Sequence, residues 1–293
     1  MDETSVVMNR QTGFSRRLLF GAGGVALLTS CAQARTPRRT PPGTVEPGVA
    51  VARPSAGTPP RRLVERLSAV GGTVCPAEQP EYSVHAGPMT MALTFDDGPS
   101  PRYTAQVLAI LRRYGVTATF FMIGENVEKY PDVLRQVLAE GHQVGNHTWS
   151  HPDLGKRSDE QVRAEIERTS DIIASAGRTQ PPRLFRAPYG YFTPATFAVC
   201  ARLGLQPVSW SVDPEDWSNP GTDAIVDTVL CRARTGSIVL EHDGCLIDGP
   251  IVPGGPADRS QTVAALAAYL PRLIHNGYRF TAVEPQSCGS ARQ

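Results

Sequence analysis

The sequence predicts an α/β fold built on a mostly parallel sheet, and two observations carry that reading. From about residue 90 onward, short apolar runs alternate with amphipathic stretches of helical length. The amphipathic stretches end at glycines, and the apolar runs end in polar residues. Pattern alone does not separate an open sheet from a barrel.

The elements follow in order. Met91-Ala92-Leu93-Thr94-Phe95 is an apolar strand. Residues 101–114 form an amphipathic helix closed by Gly115, and 116–123 are β-branched and aromatic, as suits a buried strand. Residues 131–140 repeat the helical pattern, with Gly141 after them. Ser158-Asp159-Glu160-Gln161 is a capping box that opens a helix running to about residue 176, before Gly177. Thr193-Pro194 supplies an N-cap and a proline at the first helical position, with Gly204 closing that helix and a strand at 205–212. A helix at 222–234, a strand at 237–241, a helix at 259–276 with Gly277, and a strand at 278–283 complete the alternation.

The polar ends carry the chemistry. Asp96-Asp97-Gly98-Pro99 closes the first strand, where the turn residues can re-aim both carboxylates into one cleft; the plain alternative is a surface turn. His147-Thr148-Trp149-Ser150-His151 holds two imidazoles four residues apart. On a helical turn that spacing puts both rings on one face, roughly 5 to 6 Å apart at Cβ. Two imidazoles and a carboxylate suit a zinc ion with an open position for water. Three later apolar segments also end in polar residues: Leu184-Phe185-Arg186-Ala187-Pro188-Tyr189, residues 208–213 followed by Pro214-Glu215-Asp216-Trp217, and Ile238-Val239-Leu240-Glu241-His242-Asp243. Carboxyl ends of strands are where α/β sheets and barrels place their chemistry.

These five segments, in this order, resemble the motif set of the polysaccharide deacetylases of the NodB-homology type, carbohydrate esterase family 4, over residues 89–285. The resemblance implies a distorted (β/α) barrel with about seven strands. It also implies Asp97, His147 and His151 as metal ligands, Asp96 as general base and His242 as general acid. Arg186 and Asp213 become a supporting pair that orients the base and the acid respectively. The Tyr189 N–H becomes an oxyanion donor, and Trp217 and Leu240 line the pocket for the acetyl methyl. The implied cofactor is a divalent metal, Zn²⁺ first, with Co²⁺ or another divalent ion as the alternative. The implied partner is an acetylated glycan.

Elementary chemistry agrees with these roles. Amide hydrolysis needs a nucleophile stronger than neutral water, and zinc lowers the pKa of bound water from 15.7 to about 7. The tetrahedral oxyanion needs donors, and the amine leaves only when protonated, a task suited to histidine. The expected activity is removal of N-acetyl groups from N-acetylglucosamine units of chitooligosaccharides or peptidoglycan. Acetylxylan esterase, a non-catalytic glycan-binding lipoprotein of the same fold and a non-haem iron enzyme are the competing readings. The second aspartate and His242 weigh against the last two. His85, His142 and His275 fall outside the motifs and receive no role.

The first sixty residues stand apart from the fold. Ser15-Arg16-Arg17-Leu18-Leu19-Phe20 resembles a twin-arginine export signal, with general secretion as the alternative. Leu28-Thr29-Ser30-Cys31 resembles a lipobox in which Cys31 is acylated; an ordinary cleaved signal is the alternative. Residues 1–31 are thus the expected signal. Residues 32–61, with prolines at 37, 41, 42, 47, 54, 59 and 60, are a disordered tether, and 62–293 form the catalytic domain. The expected location is outside the cytoplasm, anchored through Cys31 or secreted, and the expected state is a monomer.

Removing the first 30 residues takes away Arg10, Arg16 and Arg17 with Asp2 and Glu3, so 29 basic and 28 acidic residues become 26 and 26. Nothing in that balance suggests nucleic acid or direct affinity for anionic lipid. Five cysteines lie beyond Cys31, at 75, 200, 231, 245 and 288; an odd number leaves at least one free. A Cys75–Cys288 bridge would tie the two ends of the domain together. The Gly- and Pro-rich loop after Asp243 is expected to wall the substrate groove.

Overall fold

The computed structural model describes residues 77–246 and 251–286. The export signal, Cys31, the tether and the Cys75–Cys288 pair lie outside the described residues.

Seven strands run parallel: β1 (Thr90–Gly98), β2 (Thr119–Met122), β3 (Gln143–Asn146), β4 (Leu184–Phe185), β5 (Gln206–Pro207), β6 (Ile238–His242) and β7 (Arg279–Phe280). Their order is β5-β4-β3-β2-β1-β6, with β7 pairing the start of β1. Helices α1 (Tyr103–Tyr114), α2 (Gly124–Lys129), α3 (Pro131–Ala139), α4 (Asp159–Gly177), α5 (Pro194–Leu203), α6 (Thr222–Arg232) and α7 (Ser260–His275) connect them. Each crossover returns the chain to the same end of the sheet, so the strand ends gather on one rim.

The expected strand at 205–212 is only two residues long because this stretch changes partner. Its start pairs with β4, whereas Val212 bridges Val239 and accepts the Leu240 N–H at 2.9 Å. Between them Pro207 and Ser209 bond to Glu81, which wedges into the gap. The segment thus closes the sheet onto β6 by a splayed seam, giving the distorted barrel. Likewise β7 spans two residues rather than six, pairing with Thr90 and Met91 at the start of β1.

Alternation along β1 sorts its two faces. Met91, Leu93 and Phe95 pack outward with Leu108, Leu111, Leu266 and Leu270 of α1 and α7. Ala92, Thr94 and Asp96 face the interior, where Ala92 meets Phe121, Leu184, Val208 and Ile238. The same rule on β6 sends Ile238, Leu240 and His242 inward and Glu241 outward, where its Oε2 accepts from the Tyr269 hydroxyl at 2.6 Å.

The helix caps form as expected at Ser158 and Thr193, each with a complete capping box. At the end of α4 the left-handed residue is Arg178, one beyond the expected Gly177, whose own site is crowded by Leu138. His142 is buried; its Nδ1 accepts the Ala118 N–H at 3.2 Å and its ring meets Phe120 edge-on. Among the described residues, Cys200 and Cys245 are free and Cys231 is disulfide-bonded. No helix among them is long and apolar enough to cross a membrane.

Candidate active site

The two aspartates diverge at a bulge rather than beyond the strand end. Between Asp96 and Gly98 the β1–β2 register shifts, and Asp97 takes a left-handed φ of 70°. Both carboxylates therefore reach the rim from adjacent positions. The bulge demands glycine on either side: a Cβ on Gly98 would stand 2.5 Å from Asp243 Oδ1, and one on Gly244 would overlap the Asp97 carbonyl.

The two histidines meet by a different route from the helical turn expected of their spacing. His147 leaves β3, and the loop folds back because Thr148 and His151 are left-handed, with φ of 66° and 51°. The rings stand 4.9 Å apart. The Nε2 atoms of His147 and His151 lie 3.5 and 3.4 Å from Asp97 Oδ1. That oxygen is buried and has no hydrogen-bond partner, which fits a site made for a cation. His147 Nδ1 donates to the Arg186 carbonyl at 2.8 Å, leaving the Nε2 lone pair toward the cluster. Burial first, then the neighbouring His151, lowers its pKa to about 3, so the ring is neutral as a metal ligand must be.

Sequence reasoning missed the group that holds this loop. Glu165 of α4 accepts the Trp149 and Ser150 N–H groups, both at 2.8 Å, and the Ser150 hydroxyl at 2.9 Å. Asn146 adds a second brace, accepting from the Thr148 N–H and donating to Ile166 O and Ser170 Oγ. A glutamate at helical spacing on an exposed-looking face carries no signal of this in sequence. Glu165→Ala is expected to weaken metal binding about 10- to 100-fold, the usual cost of removing a group that orients ligands. Calorimetric titration of the apo protein checks it, and an unchanged affinity would show that the loop holds its shape alone.

Arg186 is fully buried inside the barrel and donates to Asp96 Oδ1 at 2.7 Å, Thr94 Oγ1 at 2.8 Å and Ser209 O at 2.8 Å. Its guanidinium also lies 4.1 Å from the Phe121 ring centroid. This is the Arg–Asp contact expected of an oriented base. Burial nonetheless raises the Asp96 pKa above the usual value, with Arg186 and His242 opposing.

Asp213, expected to help orient the acid, faces His242 electrostatically, but the carboxylate hydrogen-bonded to His242 is that of Asp216. Asp213 accepts the Glu215 N–H at 2.8 Å, turning the chain through a left-handed Glu215. That turn delivers Asp216 instead, whose Oδ1 lies 2.7 Å from His242 Nδ1. Asp216 Oδ2 accepts the His242 N–H at 2.9 Å and the Thr262 hydroxyl at 2.7 Å. Burial works to lower the His242 pKa, but Asp216 overcomes it and lifts the ring to about 9.

Trp217, next in the chain, is half exposed, and Leu240 is buried on the inward face of β6 that also carries His242. Tyr189 follows Pro188 with φ of 58°, exposed and edge-on to His151 at 4.8 Å. The loop after His242 bonds to both sides of the rim: Cys245 O accepts from Asn126 Nδ2, and Gly244 O from Arg259 Nε.

A polysaccharide deacetylase family model matches residues 84–208. The chain is 46% identical over 195 residues to the peptidoglycan-N-acetylglucosamine deacetylase of Bacillus cereus, covering 66% of this chain and 85% of that one. The chain belongs to the polysaccharide deacetylase family. A chitooligosaccharide deacetylase of Bradyrhizobium sp. is 44% identical, with 67% of this chain and 90% of the relative covered. Among solved structures, the Bc1960 peptidoglycan N-acetylglucosamine deacetylase superposes with a TM-score of 0.62 at 34% identity, covering 69% of this chain and 89% of that one. The parallel barrel of seven strands is the fold of this family.

Proposed function

We propose that the protein is a divalent-metal-dependent deacetylase that removes N-acetyl groups from N-acetylglucosamine units of chitooligosaccharides or peptidoglycan. The observation that carries this is the unpartnered, buried Asp97 Oδ1 between two imidazoles, flanked by Asp96 and His242. Asp97, His147 and His151 would hold the metal. One carboxylate and two neutral nitrogens suit Zn²⁺, and Co²⁺ or another divalent ion is accommodated by the same donors. When bound, the ion supplies a Lewis acid that polarises the acetyl carbonyl and acidifies water.

The remaining work falls to this chain's own groups. Asp96, held through Oδ1 by Arg186, leaves Oδ2 to take the proton from the attacking water. The Tyr189 N–H donates to the developing oxyanion, and Trp217 and Leu240 receive the acetyl methyl. His242, with Nδ1 committed to Asp216, presents Nε2 to protonate the leaving amine. The enzyme is proposed to work outside the cytoplasm, as a monomer, anchored through a lipid on Cys31 or secreted; the likeness of residues 15–31 to an export signal and lipobox supports the location.

Acetate release from chitooligosaccharides, muropeptides and acetylxylan, with and without chelator, tests the reading. Chelator-sensitive release from the N-acetylated glycans is expected; no release from any acetylated glycan, or release indifferent to chelator, would sink it.

A pH profile tests the acid. His242 must be protonated to act, so kcat/KM falls as pH rises through about 9. In Asp216→Asn the raising charge is gone while the burial that lowers the pKa remains, so this alkaline limb moves to lower pH. A limb that stays in place assigns it to another group.

A further inference from the structure

The end of the barrel opposite the candidate site carries charge and apolar surface that the chemistry above leaves unused. Each helix runs back against its parallel strands, so the helix C-termini gather where the strands begin. Three of them lie side by side there, α6 packing on α7 and α7 on α1. Their last turns hold Arg232, Arg272, and Arg112 with Arg113. Arg234 follows α6 in the link to β6, and Arg279 follows α7 in β7. All six arginines are exposed; Arg112 faces Glu140 at 3.5 Å, and the other five stand in no ion pair among the described residues. Glu284 adds an opposing charge, on the segment that crosses beneath the barrel from Thr281 at Met91 to Gln286 at Gln206. The first turns at the other end carry Asp132, Asp159, Glu160 and Asp223. A near-neutral sum thus conceals a basic underside.

Helix dipoles account for part of this division, because cations stabilise C-terminal turns and anions N-terminal ones. They do not account for the rest. Arg279 lies in a strand, and two apolar side chains, Met89 and Ile274, are each 37% exposed at the same end. Met89 is held there. Its N–H donates to Thr235 Oγ1 at 3.0 Å and its carbonyl accepts the Arg279 N–H at 2.7 Å, which fixes it between the two arginine-bearing links with a left-handed φ of 53°. The Tyr278 hydroxyl ties the same links together, donating to the Ala233 carbonyl at 3.1 Å. Arginines set around exposed apolar side chains suit a bilayer with anionic headgroups, which takes charge at its phosphates and apolar groups beneath them. A soluble polyanion would use the charge alone.

We infer that this underside docks on an anionic lipid surface, so that the rim carrying Asp97, His147 and His151 faces away from the membrane. β1 runs from Thr90 at the underside to Gly98 at the rim, which sets the site roughly 25 Å off that surface. The inference deepens the extracytoplasmic reading and rests on it for its setting. The test measures binding of the full chain to vesicles of phosphatidylglycerol with phosphatidylcholine, and to poly(glycerol phosphate). It compares wild type with Arg113→Gln/Arg232→Gln/Arg272→Gln and with Met89→Asn/Ile274→Ser. All forms carry Cys31→Ser and the same first 76 residues, so differences among them report the underside. The three arginine side chains make no hydrogen bond among the described residues, and asparagine tolerates a left-handed backbone, so both variants are expected to melt like wild type. Vesicle affinity is expected to fall about 100-fold in the arginine variant, at about fivefold for each charge, and about 3- to 10-fold in the apolar variant. Polymer binding is expected to ignore the apolar change, and acetate release from a soluble chitooligosaccharide to stay the same in both. An arginine variant that binds vesicles like wild type overturns the inference. An apolar variant that does so assigns the patch to a soluble polyanion and overturns it too. Wild-type affinity indifferent to phosphatidylglycerol content overturns it without any variant. Recovery of the chain from the cytoplasm of its host overturns the location reading, and the vesicle comparison then decides the surface by itself.

Discussion

Asp96→Asn is expected to lower turnover by about 10²- to 10⁴-fold while the protein still takes up its divalent metal. The amide keeps the shape of the carboxylate and an oxygen for Arg186 Nη1, now 2.7 Å away, so the barrel interior keeps its connection to β1. What it loses is an oxygen able to accept a proton. Asp97→Ala is the contrasting case. It removes the oxygen that lies within 3.5 Å of both imidazoles, so metal uptake itself is lost. Metal content by atomic emission, set beside acetate release, separates the two. If both variants held metal and turned over alike, the division of labour between the neighbouring aspartates would be wrong.

Arg186→Ala is expected to cost about 3 to 5 kcal/mol of stability, the range for leaving one partner of a buried ion pair without the other. The residue is fully buried, and its fork satisfies Asp96, Thr94 and the Ser209 carbonyl at once. Arg186→Lys restores the charge but presents an ammonium on a flexible stem, without the planar fork that meets these acceptors and the Phe121 face together. Recovery is therefore expected to be partial in stability and poor in turnover. The Arg186 carbonyl also fixes the His147 ring, so a shift of this backbone disturbs a metal ligand as well as the base. Urea unfolding and acetate release of both variants check this. A lysine variant equal to wild type in both would show that the guanidinium geometry is dispensable.

Local signals made much of this fold legible. Ser158 and Thr193 announce their helices because a cap bonds within three residues. Gly115 and Gly204 announce helix ends because the left-handed C′ position is a local need. The short strands were overrun because their length depends on what pairs with them. The segment from Leu205 to Val212 reads as one strand, yet its two ends serve β4 and β6. Helix α2 escaped notice because six residues directly after a strand hold too little periodicity to register.

The site was legible to a similar depth. Asp96, Asp97, His147 and His151 stood out because their residue types are chemically committed and closely spaced. The choice among Asp213, Glu215 and Asp216 was not legible, since a left-handed residue at Glu215 decides which acid reaches His242. Nor was Glu165, whose role exists only once α4 packs beneath the histidine loop.

Among the described residues, five of the eight non-glycine residues with left-handed backbone belong to the site or adjoin it: Asp97, Thr148, His151, Tyr189 and Glu215. Each such residue carries on the order of 1 to 3 kcal/mol of strain. Laboratory evolution for heat resistance alone would therefore find its easiest gains at the rim, where a glycine relieves strain at once. Glycine at Thr148 would also delete the hydroxyl that accepts the His151 N–H at 3.1 Å. Thermostable variants selected without a turnover screen would keep the barrel and lose the enzyme.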